Sequence, residues 1–173
     1  MTKVIFIDNG IPFNGQSVRR KPVGGAENAF VSLVEELAKL DFEVVVFNTI
    51  DKNKKINGVF WKKLCSIDEE NFDIIVINRG DKFLNFKPEC KKRFFWIHNP
   101  AKYLLKWRYL FKLFLNPATV IFSSYYHLST YPKWAPSKNN IVIPYGVDNF
   151  VFKNKINCFP KEKNAIFTSN PLR

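Results

Sequence analysis

Val4-Ile5-Phe6-Ile7, Gly24-Gly25-Ala26-Glu27 and Glu43-Val44-Val45-Val46-Phe47 decide the fold between them. The first and third are short, apolar and β-branched, the composition of strands buried on both faces. Gly24-Gly25 opens a helical pattern between them. Ala26, Phe30, Leu33, Val34, Leu37 and Ala38 fall on one stripe, and Glu27, Glu35, Glu36 and Lys39 fall largely elsewhere, with an end near Leu40-Asp41. Strand, glycine turn, helix, strand is a βαβ unit of parallel type.

Outward from this unit the alternation continues. Val59-Phe60-Trp61 is a weaker strand, followed by a short helix or turn over 68–71. Asp73-Ile74-Ile75-Val76-Ile77-Asn78 is a strong strand, and Arg93-Phe94-Phe95-Trp96-Ile97 is another, stopped by His98-Asn99-Pro100. Residues 101–115 read as a helix, Thr119-Val120-Ile121-Phe122 as a strand, 125–131 as a short helix broken by Pro132, and Asn140-Ile141-Val142-Ile143 as a strand before Pro144-Tyr145-Gly146. Short connections between such elements predict an α/β fold, a doubly wound and mostly parallel Rossmann-like sheet with helices on both faces. Residues 1–152 form this domain. The polar stretch 153–163 reads as a linker, and 164–173 as the first strand of a second domain that is otherwise missing.

Bulk composition agrees. The chain has 173 residues, 46% hydrophobic and 24% charged, which excludes a disordered polyelectrolyte and suits one domain. No apolar run reaches the roughly 18–20 residues of a membrane span. Cys65, Cys90 and Cys158 are odd in number and widely spaced, without a CxxC or zinc pattern, and read as free thiols of a reducing compartment. With no signal peptide before the first strand, the expected location is cytoplasmic.

The net charge of +12 invites an anionic partner. The excess is local: residues 82–112 hold nine Lys or Arg and one acid, Glu89. Nucleic acid is not expected, because no recognition motif accompanies the charge. In the 101–115 helix, Lys102, Lys106, Arg108 and Lys112 occupy less than half the circumference, with Leu104, Trp107, Phe111 and Phe114 opposite. That is the pattern of an interfacial membrane helix, which would give peripheral contact at the inner membrane face. The ordinary alternative, an apolar face on the sheet with charges in water, is favoured because the topology needs a helix here.

Ligands of open α/β sheets bind at the carboxyl ends of strands. Polar residues collect at five such ends: Asp8-Asn9, Asn78-Arg79, His98-Asn99, Ser123-Ser124 and Tyr145-Gly146. The glycines at 24 and 25 let a ligand approach the backbone where a helix begins, which suits phosphate. The spacing is neither a GxGxxG fingerprint nor a Walker A loop. His98 can meet a sugar hydroxyl or phosphate, or carry a proton.

Four pieces in order resemble the N-terminal domain of GT-B retaining glycosyltransferases of the glycogen-synthase-like group 1. Gly24-Gly25-Ala26-Glu27 is similar to the family's GGxE loop. Trp96-Ile97-His98-Asn99-Pro100 is similar to its xHxP segment, and Ile143-Pro144-Tyr145-Gly146-Val147-Asp148 to its IPxGVD segment. Residues 166–173 are similar to the opening of the second domain. The resemblance implies a hexosyltransferase moving a sugar from a nucleotide-sugar co-substrate to an acceptor with retention, without cofactor or metal. Gly24, Gly25 and Arg173 would sit at the donor phosphates and His98 would act at the transferred sugar. Asn9, Glu27, Asn99, Tyr145 and Gly146 would contact acceptor or sugar. The family's carboxylate pair lies in the second domain, so these residues alone are expected to be inactive. The alternative is a non-catalytic module for a phosphorylated or polyanionic ligand.

Overall fold

A computed structural model describes residues 1–69, 71–86 and 89–146. The chain is α/β. Its strands are β1 (Lys3–Asp8), β2 (Glu43–Asn48), β3 (Lys54–Ile56), β4 (Val59–Lys63), β5 (Ile74–Asn78), β6 (Lys92–Trp96), β7 (Thr119–Phe122) and β8 (Asn139–Val142). Among the described residues they form one sheet in the order β3-β4-β2-β1-β5-β6-β7-β8. Every pairing is parallel except β3 with β4. The helices are α1 (Ser17–Arg20), α2 (Gly25–Lys39), α3 (Trp107–Leu115) and α4 (Tyr125–Ser129), with 3-10 segments at Leu64–Glu69, Lys82–Asn85 and Ala101–Leu105.

The strands show why both faces are covered. Side chains of a strand alternate between faces. Ile5, Ile7, Val45, Phe47, Ile75, Ile77, Phe95, Val120 and Phe122 pack on one side with Leu84, Leu104 and Leu113. Val4, Phe6, Val44, Val46, Val76, Trp96 and Ile121 pack on the other with Phe13, Phe30, Val31, Val34 and Trp61. A strand apolar at every position must be buried twice, so layers on both sides follow.

The chain runs outward from β1 to β2 on one side and starts again at β5 on the other. The sheet order therefore reverses between β1 and β5, where Asp8 and Asn78 are register partners at the strand ends. This is the topological switch point at which open α/β sheets hold ligands.

The structure corrects two of the expected elements and adds to two other readings. The weak strand at 59–61 is one arm of an antiparallel hairpin, β3–β4. Its turn is Asn57-Gly58, both at positive φ (48° and 82°), the conformation two-residue hairpins require. The short helix expected at 68–71 begins earlier, as the 3-10 segment Leu64–Glu69. The single helix over 101–115 is two elements separated by Lys106 in extended conformation. That break resets the helical phase. Leu104 and Leu113 enter the core with Tyr109 and Leu110 against them, whereas Trp107, Phe111 and Phe114 point to solvent. Last, Glu27 and Glu35 on α2 are buried, each paired with an arginine. The linker 153–163, the strand at 164–173 and Cys158 lie outside the described residues, and Cys65 and Cys90 are free thiols.

Candidate functional site

The carboxyl edge of the sheet carries a continuous chain of polar contacts centred on the switch point. Asp8, last residue of β1, is fully buried. Its Oδ1 accepts the Gly10 N–H at 2.8 Å. Its Oδ2 accepts from Asn78 Nδ2 and, at 2.9 Å, from Arg79 Nη2. Arg79 Nη1 donates to Glu27 Oε1 at 2.7 Å. One guanidinium thus bridges a strand-end carboxylate and a carboxylate in the first turn of α2. Arg79 holds a left-handed backbone, φ 59°, which is uncommon for a non-glycine residue and clusters at functional positions.

On its other side the chain reaches His98, just past β6. Asn78 Oδ1 lies 2.7 Å from His98 Nε2, and the Tyr145 hydroxyl lies 2.6 Å from His98 Nδ1. The amide of Asn78 already donates to Asp8, so its oxygen must accept. The assignment follows from the network: Nε2 carries the proton and Nδ1 accepts from Tyr145. The Tyr145 ring also stacks on the imidazole at 5.8 Å between centroids.

The electrostatics keep this imidazole neutral. Burial and then the nearby Arg79 cation depress the His98 pKa to about 4. Burial raises the Tyr145 phenol. Burial would also raise the Glu27 carboxyl, but the Arg79 bond, its own backbone N–H and the guanidinium charge together bring it below the usual range. For Arg79 burial opposes charge, and Asp8 and Glu27 more than restore it. The site is therefore a fixed charge triad joined through Asn78 to an uncharged imidazole.

Gly24 and Gly25 stand exposed at the start of α2, where no side chain caps the helix. A Cβ on Gly24 would strike the Glu27 carboxylate, whereas a Cβ on Gly25 would meet nothing within 4 Å. A side chain at Gly24 would thus displace the Glu27 carboxylate, and Gly25 faces open space. Asn9 lies against Gly80, whose Cβ it would obstruct. Asn99 contributes its backbone, because its carbonyl oxygen accepts from His127 Nε2 at 2.7 Å. Gly146 is exposed with open space around it, and Arg173 lies outside the described residues.

Sequence reasoning brought Gly25, Glu27, His98 and Tyr145 to one edge, and the coordinates join the last three through Arg79, Asp8 and Asn78. It placed those connecting residues at the same strand ends but gave them no individual role. Their signal was polar residues closing two apolar strands that share a register. His127 was missed as well. It is buried on α4 and ties the 98–99 turn to that helix through Asn99.

A cleft of about 220 Å³ opens beside His98, lined also by Arg79, Pro100, Tyr103, Lys106 and Arg108. Among the described residues no group of His, Cys, Asp and Glu has the arrangement of a metal site. Compared with known proteins, the chain matches no protein-family model, no curated protein and no solved structure.

Proposed function

We propose that this chain is the acceptor-side, N-terminal domain of a GT-B retaining glycosyltransferase that uses a nucleotide-sugar donor. The observation that carries the reading is the connected path from the paired-glycine turn to the lone imidazole: Glu27, Arg79, Asp8, Asn78, His98. It sets an open helix start, suited to phosphate, on the same rim as a neutral histidine. With Nε2 held as donor to Asn78, the free role of His98 is acceptance at Nδ1. A sugar hydroxyl displacing the Tyr145 hydroxyl would be fixed there. Arg79 is saturated by two carboxylates and the cluster is net negative, so its contribution is rigidity: it fixes the Asp8 and Glu27 carboxylates at the rim. Completing the donor site falls to a second domain.

The test is amide NMR titration of the chain with a panel of nucleotide sugars. Expected are shifts at residues 24–27, at Arg79 and at His98 together, and their loss in Gly25→Ala. That substitution costs no stability, since its methyl has room, but it occupies the ligand's approach. Shifts that leave both the 24–27 turn and His98 untouched would end the reading.

The alternative, a binding module for a phosphorylated or polyanionic ligand, is supported by Lys106 and Arg108 at the cleft mouth. It differs in one outcome. Inorganic phosphate or a polyphosphate would then bind as well as any nucleotide sugar, with the sugar adding nothing.

A further inference from the structure

The segment after His98 carries two apolar faces where a layer helix needs one. Its inner face is accounted for by Leu104, Leu113, Tyr109 and Leu110 in the core. Its outer face shows Tyr103, Trp107, Phe111, Phe114 and Leu115 to solvent, with Trp107 77% and Phe114 72% exposed. The Trp107 and Phe111 rings stack on each other at 6.0 Å, one helical turn apart. Leaving such side chains in water forgoes about 1.5–3 kcal/mol for each that could be covered. A row of them on one short helix marks a contact surface.

The charges around this row indicate what covers it. Among the described residues neither Lys102 nor Lys106 has a carboxylate partner; Lys106 Nζ rests 5.5 Å from the Tyr103 ring centre. Arg108 lies beside the row, 3.6 Å from Asp81 and with its guanidinium 5.2 Å from the Tyr109 ring centre. Lys112, by contrast, turns inward to Asp81 at 2.8 Å and is no part of the face. An aromatic band edged by exposed cations fits an anionic bilayer surface. Rings settle at the boundary of headgroups and acyl chains while lysines reach the phosphates. A second copy of the chain fits poorly. A twofold contact brings each patch onto its own equivalent, and each chain carries a net charge of +12.

We infer that the face formed by Tyr103, Trp107, Phe111, Phe114, Lys102 and Lys106 docks the chain on an anionic lipid bilayer. The inference stands apart from glycosyl transfer, because it uses none of the groups around Asp8. It has a positional consequence. Tyr103 and Lys106 also line the His98 cleft, so a docked chain holds that cleft at the headgroup layer. On the glycosyl-transfer reading the acceptor is then a lipid-linked molecule.

The experiment is co-sedimentation of the full chain with vesicles of phosphatidylcholine alone and with about one-third phosphatidylglycerol added. Binding to the anionic vesicles only, weakened by salt, is expected. Trp107→Ser with Phe114→Ser should lower it at least about tenfold. Each of Lys102→Ser and Lys106→Ser should lower it about fivefold and flatten the salt dependence. Both sets are exposed, and an unchanged urea midpoint verifies their fold. In a chain carrying only Trp134→Phe, which removes the other exposed indole, brominated lipid should quench Trp107 fluorescence. Equal binding to neutral vesicles, binding that survives loss of Trp107 and Phe114, or absence of quenching would overturn the inference. So would self-association through this face, or capture of RNA in place of vesicles. None of these results bears on whether nucleotide sugars shift Gly25 and His98, so the two readings fail separately.

Discussion

Acidification should weaken the fold through one residue before the carboxylates respond. His98 is neutral in the folded chain because burial and Arg79 depress its pKa from the ordinary 6.5 to about 4. The unfolded chain binds a proton near 6.5 and the folded chain refuses it until about 4. The contribution is therefore present above 6.5 and lost as pH falls from there to 4. Between about pH 7.5 and about pH 5 the loss from this one group is about 2 kcal/mol. Staying above pH 5 keeps Glu27, Asp73 and Asp81 out of the window, since all three are held below the usual carboxylate range. The comparison is wild type against His98→Gln, each unfolded in urea at both pH values. The variant loses stability at pH 7.5, because its amide replaces the two imidazole contacts imperfectly, but its own decline toward pH 5 is shallower by about 2 kcal/mol. The His98 ring proton resonance should also stay flat to below pH 5. Parallel declines in the two proteins, or a histidine titrating near 6.5, would refute a neutral imidazole and the tautomer assigned to it.

Two further outcomes follow from the polar contacts. Arg79→Met leaves the buried Asp8 and Glu27 carboxylates without their cation and should cost about 3–5 kcal/mol in urea unfolding, part of it recovered by adding Asp8→Asn; a cost under about 1 kcal/mol would mean that the triad is solvated. Arg93 donates to the Phe83 and Leu84 carbonyls at 3.3 and 2.7 Å and to that of Phe86, closing the 3-10 segment Lys82–Asn85. Arg93→Met should cost about 1–3 kcal/mol and speed amide exchange at Leu84 and Phe86, and unaltered exchange there would contradict that role.

The parallel strands were legible because burial on both faces leaves unbroken apolar runs, and the end of each run locates the ligand edge. The hairpin went unread: Asn57-Gly58 between Ile56 and Val59 is its one marker, and three residues of β3 are too few for a periodic signal. The break at Lys106 had no such marker. No proline or glycine stands there, and only packing of Leu104 and Leu113 into one core while Lys112 reaches Asp81 forces the chain to extend between them. Sequence periodicity assumes an unbroken phase, and so it put Trp107 and Phe114 on the wrong side. At the site, strand-end polarity gave the positions but not the partners. Asp8 and Arg79 are 71 residues apart, and only the sheet order makes them neighbours.

The charge triad itself argues for a ligand at this edge. A buried ion pair is weak evidence for stability, because well-packed apolar residues of similar volume often serve as well or better. Asp8 closes a strand that is apolar from Val4 to Ile7, and a valine there would continue the core. Within its strands the same sheet solves its burial with hydrocarbon, and its buried polar side chains, Asp8, Asn48 and Asn78, all stand at strand carboxyl ends. The charged one of these falls at the switch point, beside the exposed Gly25, with a left-handed Arg79 and a neutral His98 attached. Each of these features is unfavourable or neutral for folding when taken singly. Their coincidence on one rim is what a preorganised site requires: a cation fixed by two carboxylates cannot collapse onto an incoming ligand, and an imidazole held by Asn78 presents one defined acceptor. Stability selects against such an arrangement, and recognition of a polar ligand selects for it.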